Sequence, residues 1–311
     1  MRSLSAPASS LALVLVCAVT SFTAPGPSIG SVTANGSFSV DSSKIWNSTT
    51  LFDGSILETN QTPSEVRMND GVRVRLAADS RARVYRNRIV LEKGLSQLQA
   101  AVHTPLEVSS LRIYSTSADS VGQLRLGESS KVVVAAVKGS LRVTNASGIL
   151  VATLDAPDAL TFDPQTGAAG PTQISGCLLS KDGTYIVVDQ TTNVTMEVTG
   201  AGLDKQVGNR VDVIGTADAA RPRVAGASQR INVTTVKLVA KGGCASIAKK
   251  AGAAGGAAAA AGGAAAGAGT AAGVGVATIA VVGGVAVAGT VAGLGATGAF
   301  SGGEEPPSTS R

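Results

Sequence analysis

The chain has 311 residues, a formal net charge of +5 and only 3% aromatic residues. That length admits about two domains, the modest charge demands no nucleic-acid partner, and so few rings leave little on which bases could stack. Arg2 is the only charge before the apolar run at residues 11–19, which small residues and then Pro25-Gly26-Pro27 follow. This is the layout of a secretory signal peptide over residues 1–21, with Val19-Thr20-Ser21 as the cleavage region, and the run is far shorter than the roughly 20 residues of a membrane span. Removal of Cys17 with the signal leaves Cys177 and Cys244. An even pair in an exported chain is expected to be oxidised, so these two are read as a disulfide closing the second module.

From residue 29 to residue 163 the sequence is a succession of short β-branched runs punctuated by Gly, Asn, Asp and Ser, with no stretch of 3.6-residue periodicity. Alternation is clearest in Val72-Arg73-Val74-Arg75-Leu76, which places Val72, Val74 and Leu76 on one face and both arginines on the other. The expected core also takes in Val84, Val132, Val134, Leu141 and Val143. A linker at 164–171 contains Pro164, Gly167, Gly170 and Pro171 and cannot sustain a ladder. The second module, 172–244, reads as strands 173–180, 184–189 and 193–199, a helical turn at 202–208 closed by Gly208, and strands 210–215 and 231–240. Three strands, a short helix and two further strands is the order of a small five-stranded OB-like barrel.

Composition changes abruptly after residue 243. Residues 245–273 are an Ala/Gly-rich low-complexity segment, 274–299 are uncharged and rich in Val, Ile and Leu, and 300–311 form a polar tail. The 274–299 segment is long enough to span a bilayer as a helix, and Gly289-Thr290-Val291-Ala292-Gly293 has the small-xxx-small spacing of close helix contacts. Lys249-Lys250 precede it, so the positive-inside rule opposes a single crossing with both modules exported and leaves a two-crossing hairpin as the alternative.

In the first module Leu51-Phe52-Asp53-Gly54-Ser55-Ile56-Leu57-Glu58-Thr59 sets a Gly turn before a strand that ends in Thr. Glu65-Val66-Arg67-Met68, Gly71-Val72-Arg73-Val74-Arg75-Leu76, Leu91-Glu92-Lys93-Gly94 and the late Val134-Ala135-Ala136-Val137-Lys138-Gly139-Ser140-Leu141-Arg142-Val143 follow it in order. In these motifs and their order the module resembles the FecR domain family, whose opening motif is similar to the first of them. The resemblance implies a β roll or sandwich facing the periplasm. It does not carry over a sigma-factor regulator, because only ten residues precede the apolar run.

The chemistry available is sparse. His103 is the one histidine and has no metal-ligating spacing around it, which disfavours zinc sites and Ser-His-Asp catalysis. Asp155 and Asp158 flank Ala156-Pro157 and read as a polar turn. Neither an enzymatic activity nor a cofactor is expected. Six Asn-x-Ser/Thr triplets, at Asn35, Asn47, Asn60, Asn145, Asn193 and Asn232, matter as acceptors only in a host that glycosylates them and otherwise read as polar turn and strand residues of a bacterial envelope protein. Alternation places Arg73 and Arg75, and Arg81 and Arg83, on an outer face able to meet an anionic glycan, lipid or protein partner. Acids interleaved with these arginines favour a solvated face instead. The expected function is a non-enzymatic, membrane-anchored envelope binding or scaffold protein, with a FecR-type transmembrane signal relay as the alternative.

Overall fold

The computed structural model describes residues 26–127, 130–164, 172–255, 278–281 and 285–288. The first module contains β1 (Gly30–Val40), β2 (Ser43–Leu51), β3 (Ser55–Thr59), β4 (Ser64–Met68), β5 (Arg73–Leu76), β6 (Arg81–Tyr85) and β7 (Arg88–Gln99). It continues with β8 (Leu106–Val108), β9 (Leu111–Ser115), β10 (Val121–Leu126), β11 (Val132–Lys138), β12 (Ser140–Asn145), β13 (Leu150–Asp155) and β14 (Ala159–Pro164). Two long strands organise all of these. The first half of β1 pairs with β4 and its second half with β3, while β7 lies beside β6 over its first half and beside β5 over its second. With β4 on β5 and β3 on β6, the pairings close a ring, β1-β4-β5-β7-β6-β3.

The ring turns its corner at Gly94, where φ is +94° and a Cβ would lie 2.3 Å from the hydroxyl of Ser80. A side chain there would face both a left-handed backbone and a collision, so only glycine fits. The hydroxyl of Ser80 occupies that space and accepts the Leu95 N–H at 3.1 Å. Thr59, which ends β3, is buried and its hydroxyl donates to the carbonyl of Ala77 at 2.6 Å while accepting the Ser80 N–H at 2.9 Å. The Thr that closes the opening motif therefore fastens the β5–β6 turn to β3.

From β7 the sheet grows along two routes. One runs through β10, β11 and β14, the other through β8, parallel to β7, and then β9, β12 and β13. The routes stack face to face, with Leu141 of β12 against Gly122 of β10. Alternation does the filling: Val72, Val74, Leu76, Val84, Val132, Val134, Leu141 and Val143 are each no more than 2% exposed.

The second module is a closed five-stranded barrel of β15 (Thr172–Lys181), β16 (Thr184–Asp189), β17 (Thr195–Thr199), β18 (Arg210–Asp218) and β19 (Ala227–Ala240), with a single 3-10 turn at Asp204–Gln206. The path around it is β15-β16-β17-β19-β18, and the β17–β19 contact is parallel. At Gly215 a Cβ would come within 2.4 Å of the Asn232 carbonyl, so the sharp coiling of β18 over β19 requires glycine. The helix α1 (Ala245–Ala251) packs on the barrel, and Cys244, just before it, is bonded to Cys177 of β15 across a Cα separation of 5.6 Å. The expected disulfide is present. Buried apolar side chains run continuously from the first module into the barrel, and at the junction the Thr153 N–H donates to the Thr192 carbonyl at 2.7 Å.

Three sequence expectations are corrected. The barrel unit does not stop at residue 244, because α1 and a bridge from Ala254 to Ser180 belong to it; Ala is the best helix former, and low complexity concealed an ordinary short helix. Pro164 belongs to β14 as its last residue, a strand-end position at which proline interrupts no more than the end of the ladder. Within 274–299, read as a membrane helix, the described residues form β20 (Thr278–Val281) and β21 (Val285–Ala288), and β21 pairs with β14. Thr, Val and Ile suit extended backbone, and Gly283-Gly284 between the two strands is a hairpin sequence. Among the described residues no helix is long and apolar enough to cross a membrane. The expected signal peptide, the rest of the linker, the remainder of 274–299 and the polar tail lie outside the described residues.

Two stability outcomes follow from this packing. Val74→Asp, which puts an unpaired charge at a fully buried position, is expected to cost about 3–5 kcal/mol, whereas Arg73→Asp on the outer face costs about 0.5 kcal/mol or less; urea unfolding midpoints compare them, and equal losses would mean that the faces are reversed. Cys177→Ser opens a loop spanning a sequence separation of 67, for which the chain-entropy model gives about 4 kcal/mol, read in the same assay against the parent protein with and without reductant.

Candidate functional site

The four arginines expected to share a face are divided by the corner at Gly94. Arg73 and Arg75 stand on β5, opposite Arg67 and Glu65 of β4 on one side and Gln99 and Gln97 of β7 on the other. These six side chains line a shallow depression of about 200 Å³. A second depression of about 120 Å³ adjoins it, with Glu65 and Arg75 as the shared wall and Thr33, Asn35 and Ser64 beyond. Glu65 is paired with Arg67 at 2.7 Å. Arg73 is exposed and makes no ion pair among the described residues. Three guanidinium groups against one carboxylate leave the strip at +2, flanked by two carboxamides that can donate and accept.

Arg81 and Arg83 stand elsewhere, on β6, and acids from other strands meet them. Glu92 of β7 forms an ion pair with Arg81 at 2.8 Å and accepts from Arg83 at 3.1 Å, and Glu58 of β3 forms an ion pair with Arg81 at 2.9 Å. The hydrogen bond and charge of Glu92 raise the pKa of Arg83. The pattern continues across the sheet, where Glu107 of β8 takes Arg88 at 3.1 Å and Arg112 at 2.7 Å. On this face Glu58, Glu92 and Glu107, brought by other strands, meet four arginines, and the charges of Arg81 and Arg83 are balanced by Glu58 and Glu92. Exposed pairs of this kind add little stability, about 0–1 kcal/mol each, but they occupy guanidinium groups that an anion would otherwise meet.

Sequence alternation finds the outward direction of all four arginines. It misses Gln97 and Gln99, which complete the β5 strip, because nothing local says that the second half of β7 lies beside β5. It also misses Asp189, which is 1% exposed at the end of β16. One oxygen of Asp189 accepts the N–H groups of Thr191 and Thr192, at 2.7 and 2.9 Å, which shapes the turn whose Thr192 carbonyl receives Thr153 of the first module. Burial raises the Asp189 pKa and the two backbone donors oppose that rise. Glu197, also 1% exposed, accepts the N–H groups of Arg223 and Val224 and pairs with Arg230 at 3.6 Å, so it pins the 219–226 loop against the barrel.

The remaining sequence candidates have structural roles. His103 is exposed, and Asp155 and Asp158 close a turn, the Asp158 N–H donating to the Asp155 carbonyl at 2.8 Å. Among the described residues there is no group of three or more His, Cys, Asp or Glu placed to hold a metal ion. A groove of about 420 Å³ between the barrel and α1, lined by Val188, Gln190, Asn193, Thr195, Ile247, Lys250 and Ala251, offers one cation and several short polar groups. In the Arg73–Arg75 strip a net charge of +2, carboxamide hydrogen-bonding capacity and a concave surface coincide. No family model, curated protein or solved structure matches the chain.

Asp189 generates a pH prediction. Its folded pKa lies above the unfolded value, so the charged form is the one the fold disfavours; the penalty is absent below the unfolded pKa and grows as pH rises through the folded one. Asp189→Asn keeps the oxygen that accepts both N–H groups and removes the charge. The stability difference, variant minus parent, is expected to increase from acidic to neutral pH in urea titrations, whereas Asp189→Ala loses about 1–3 kcal/mol for each orphaned donor at every pH.

Proposed function

We propose that the chain is an exported, non-enzymatic binding or scaffold protein of the cell envelope, in which the β5 strip engages an anionic glycan. The first module is read as a FecR-like roll, supported by the order of the quoted motifs and by the work that Thr59 and Gly94 do at the corner of the ring. The second is read as OB-like, supported by a barrel path in which the third strand lies parallel to the fifth. Export is supported by the Cys177–Cys244 bond, which suits an oxidising compartment.

One observation carries the binding reading: Arg73 stands in a concave strip of net charge +2 while the neighbouring arginine face is neutralised by its own acids. Guanidinium groups offer planar, paired donors that match carboxylate geometry, and carboxamides match hydroxyls. A polymer with both groups, a carboxylated polysaccharide, fits the strip better than a lipid surface, which would favour a broader cationic face.

Retention of the protein on an immobilised carboxylated polysaccharide tests this. Arg73→Gln with Arg75→Gln is expected to weaken binding at least about tenfold, as loss of a charge-assisted contact is worth about 1.5–3 kcal/mol, and Arg81→Gln with Arg83→Gln is expected to leave it within about twofold, given the small worth of exposed ion pairs. Equal loss in both pairs, or no retention of the parent at low salt, would sink the assignment; retention only by anionic vesicles would move it to lipid.

A further inference from the structure

Nine asparagines occur in the chain, and six stand two residues before Ser or Thr with no proline between. Ser and Thr make up 59 of 311 residues, so about two such triplets are expected from nine asparagines. Turn formation explains an excess of asparagine but not of the hydroxyl two residues on. At Asn35, Asn47, Asn60 and Asn232 no hydrogen bond among the described residues joins the asparagine side chain to that hydroxyl. Local folding therefore leaves the pairing unexplained, and we infer that Asn35, Asn47, Asn60 and Asn232 are N-glycosylation sites, an inference that rests on the export half of the proposed function.

All four are exposed. Asn35 lies in the irregular stretch of β1 where its register against β2 shifts between Thr33 and Ser37, and Asn47 lies in the facing irregularity of β2 with φ at +66°. Asn60 follows β3. Asn232 is the last residue of β19 that pairs with β17, and its side-chain oxygen accepts the Thr199 hydroxyl at 2.8 Å, which leaves the amide nitrogen without a partner among the described residues. The other two triplets differ. Asn145 is 2% exposed and accepts the Ile149 N–H at 2.9 Å, so a glycan there has no room. Asn193 donates its amide to the Thr153 carbonyl across the junction of the modules.

The placement has a physical purpose. Among the described residues β2 pairs with β1 alone, and β19 beyond Asn232 pairs with β18 alone, so both strands present unpaired edges. The β19 edge carries exposed Leu238 and Val239. Open edges recruit further strands, and a bulky hydrophilic chain at Asn47 and at Asn232 obstructs that addition. In the reaction the Asn Nδ2 attacks C1 of an oligosaccharide carried on a polyprenyl pyrophosphate. The C1–O bond to phosphate breaks, the lipid pyrophosphate leaves, and the Nδ2 proton passes to the oligosaccharyltransferase of the export route.

Peptide mapping of the protein from its native source, with and without peptide N-glycosidase in ¹⁸O-water, is decisive when the state of Cys177 and Cys244 is read in the same digest. Conversion to ¹⁸O-labelled Asp is expected at Asn35, Asn47, Asn60 and Asn232, with Asn145 unconverted. Unmodified asparagine at all four with the disulfide intact overturns the glycan assignment and leaves export standing. Unmodified asparagine with two free thiols overturns both, and conversion at Asn145 refutes the argument from burial.

Discussion

Strand sharing is the constraint on which the first module depends. A ladder hydrogen bond is satisfied only by a neighbour, and β1 and β7 find different neighbours along their two halves, so each long strand must bend where its partners change. At β7 the bend is made possible by Gly94 and held by hydroxyls instead of apolar packing: Ser80 fills the space a side chain would need, and Thr59 bonds the turn from the other side. A small polar group buried in this way is stable only because its bonds are complete. The corner then decides the surface, since it separates the β5 strip from the β6 face and lets one keep a net charge that the other has cancelled.

Much of the interior was legible in the sequence. Val72, Val74 and Leu76 alternate with arginines, and a period of two is a local property that survives whatever the strand pairs with. The pair of cysteines was legible for a different reason, that export and an even count leave little choice. Arg81 and Arg83 show where this reading stops. Their outward direction is local, but their neutralisation depends on Glu58 and Glu92, which other strands bring from 23 and 9 residues away. Asp189 looks in sequence like any turn former, and nothing local marks it as a buried carboxylate. In the C-terminal segment, apolar length suggested a membrane helix, yet Thr, Ile and Val at 278–281 and Val at 285 and 287 are equally the composition of strands. Hydrophobicity alone does not separate the two.

Electrostatics and edges together describe what the surface presents. One face is a lattice of ion pairs, one strip carries the exposed guanidinium of Arg73 beside carboxamide groups, and the outer edges of β2 and of the last part of β19 lack partners among the described residues. Each asks for a different neighbour: water for the first, a polyanion for the second and a steric guard for the third.

The disulfide also sets how the molecule bears tension. Cys177 lies in the middle of β15, the strand by which the chain enters the barrel, and Cys244 lies where the barrel hands over to α1 and the C-terminal segment. A pull between the start of β15 and the end of α1 enters at Thr172, travels to Cys177, crosses the covalent bridge and leaves through Cys244. Residues 178–243 are bypassed, so almost the whole barrel hangs beside the load path and is not part of it. A β barrel wired in this manner behaves as a rigid bead on a short tether, whose shape and surface persist under forces that would otherwise unravel it strand by strand.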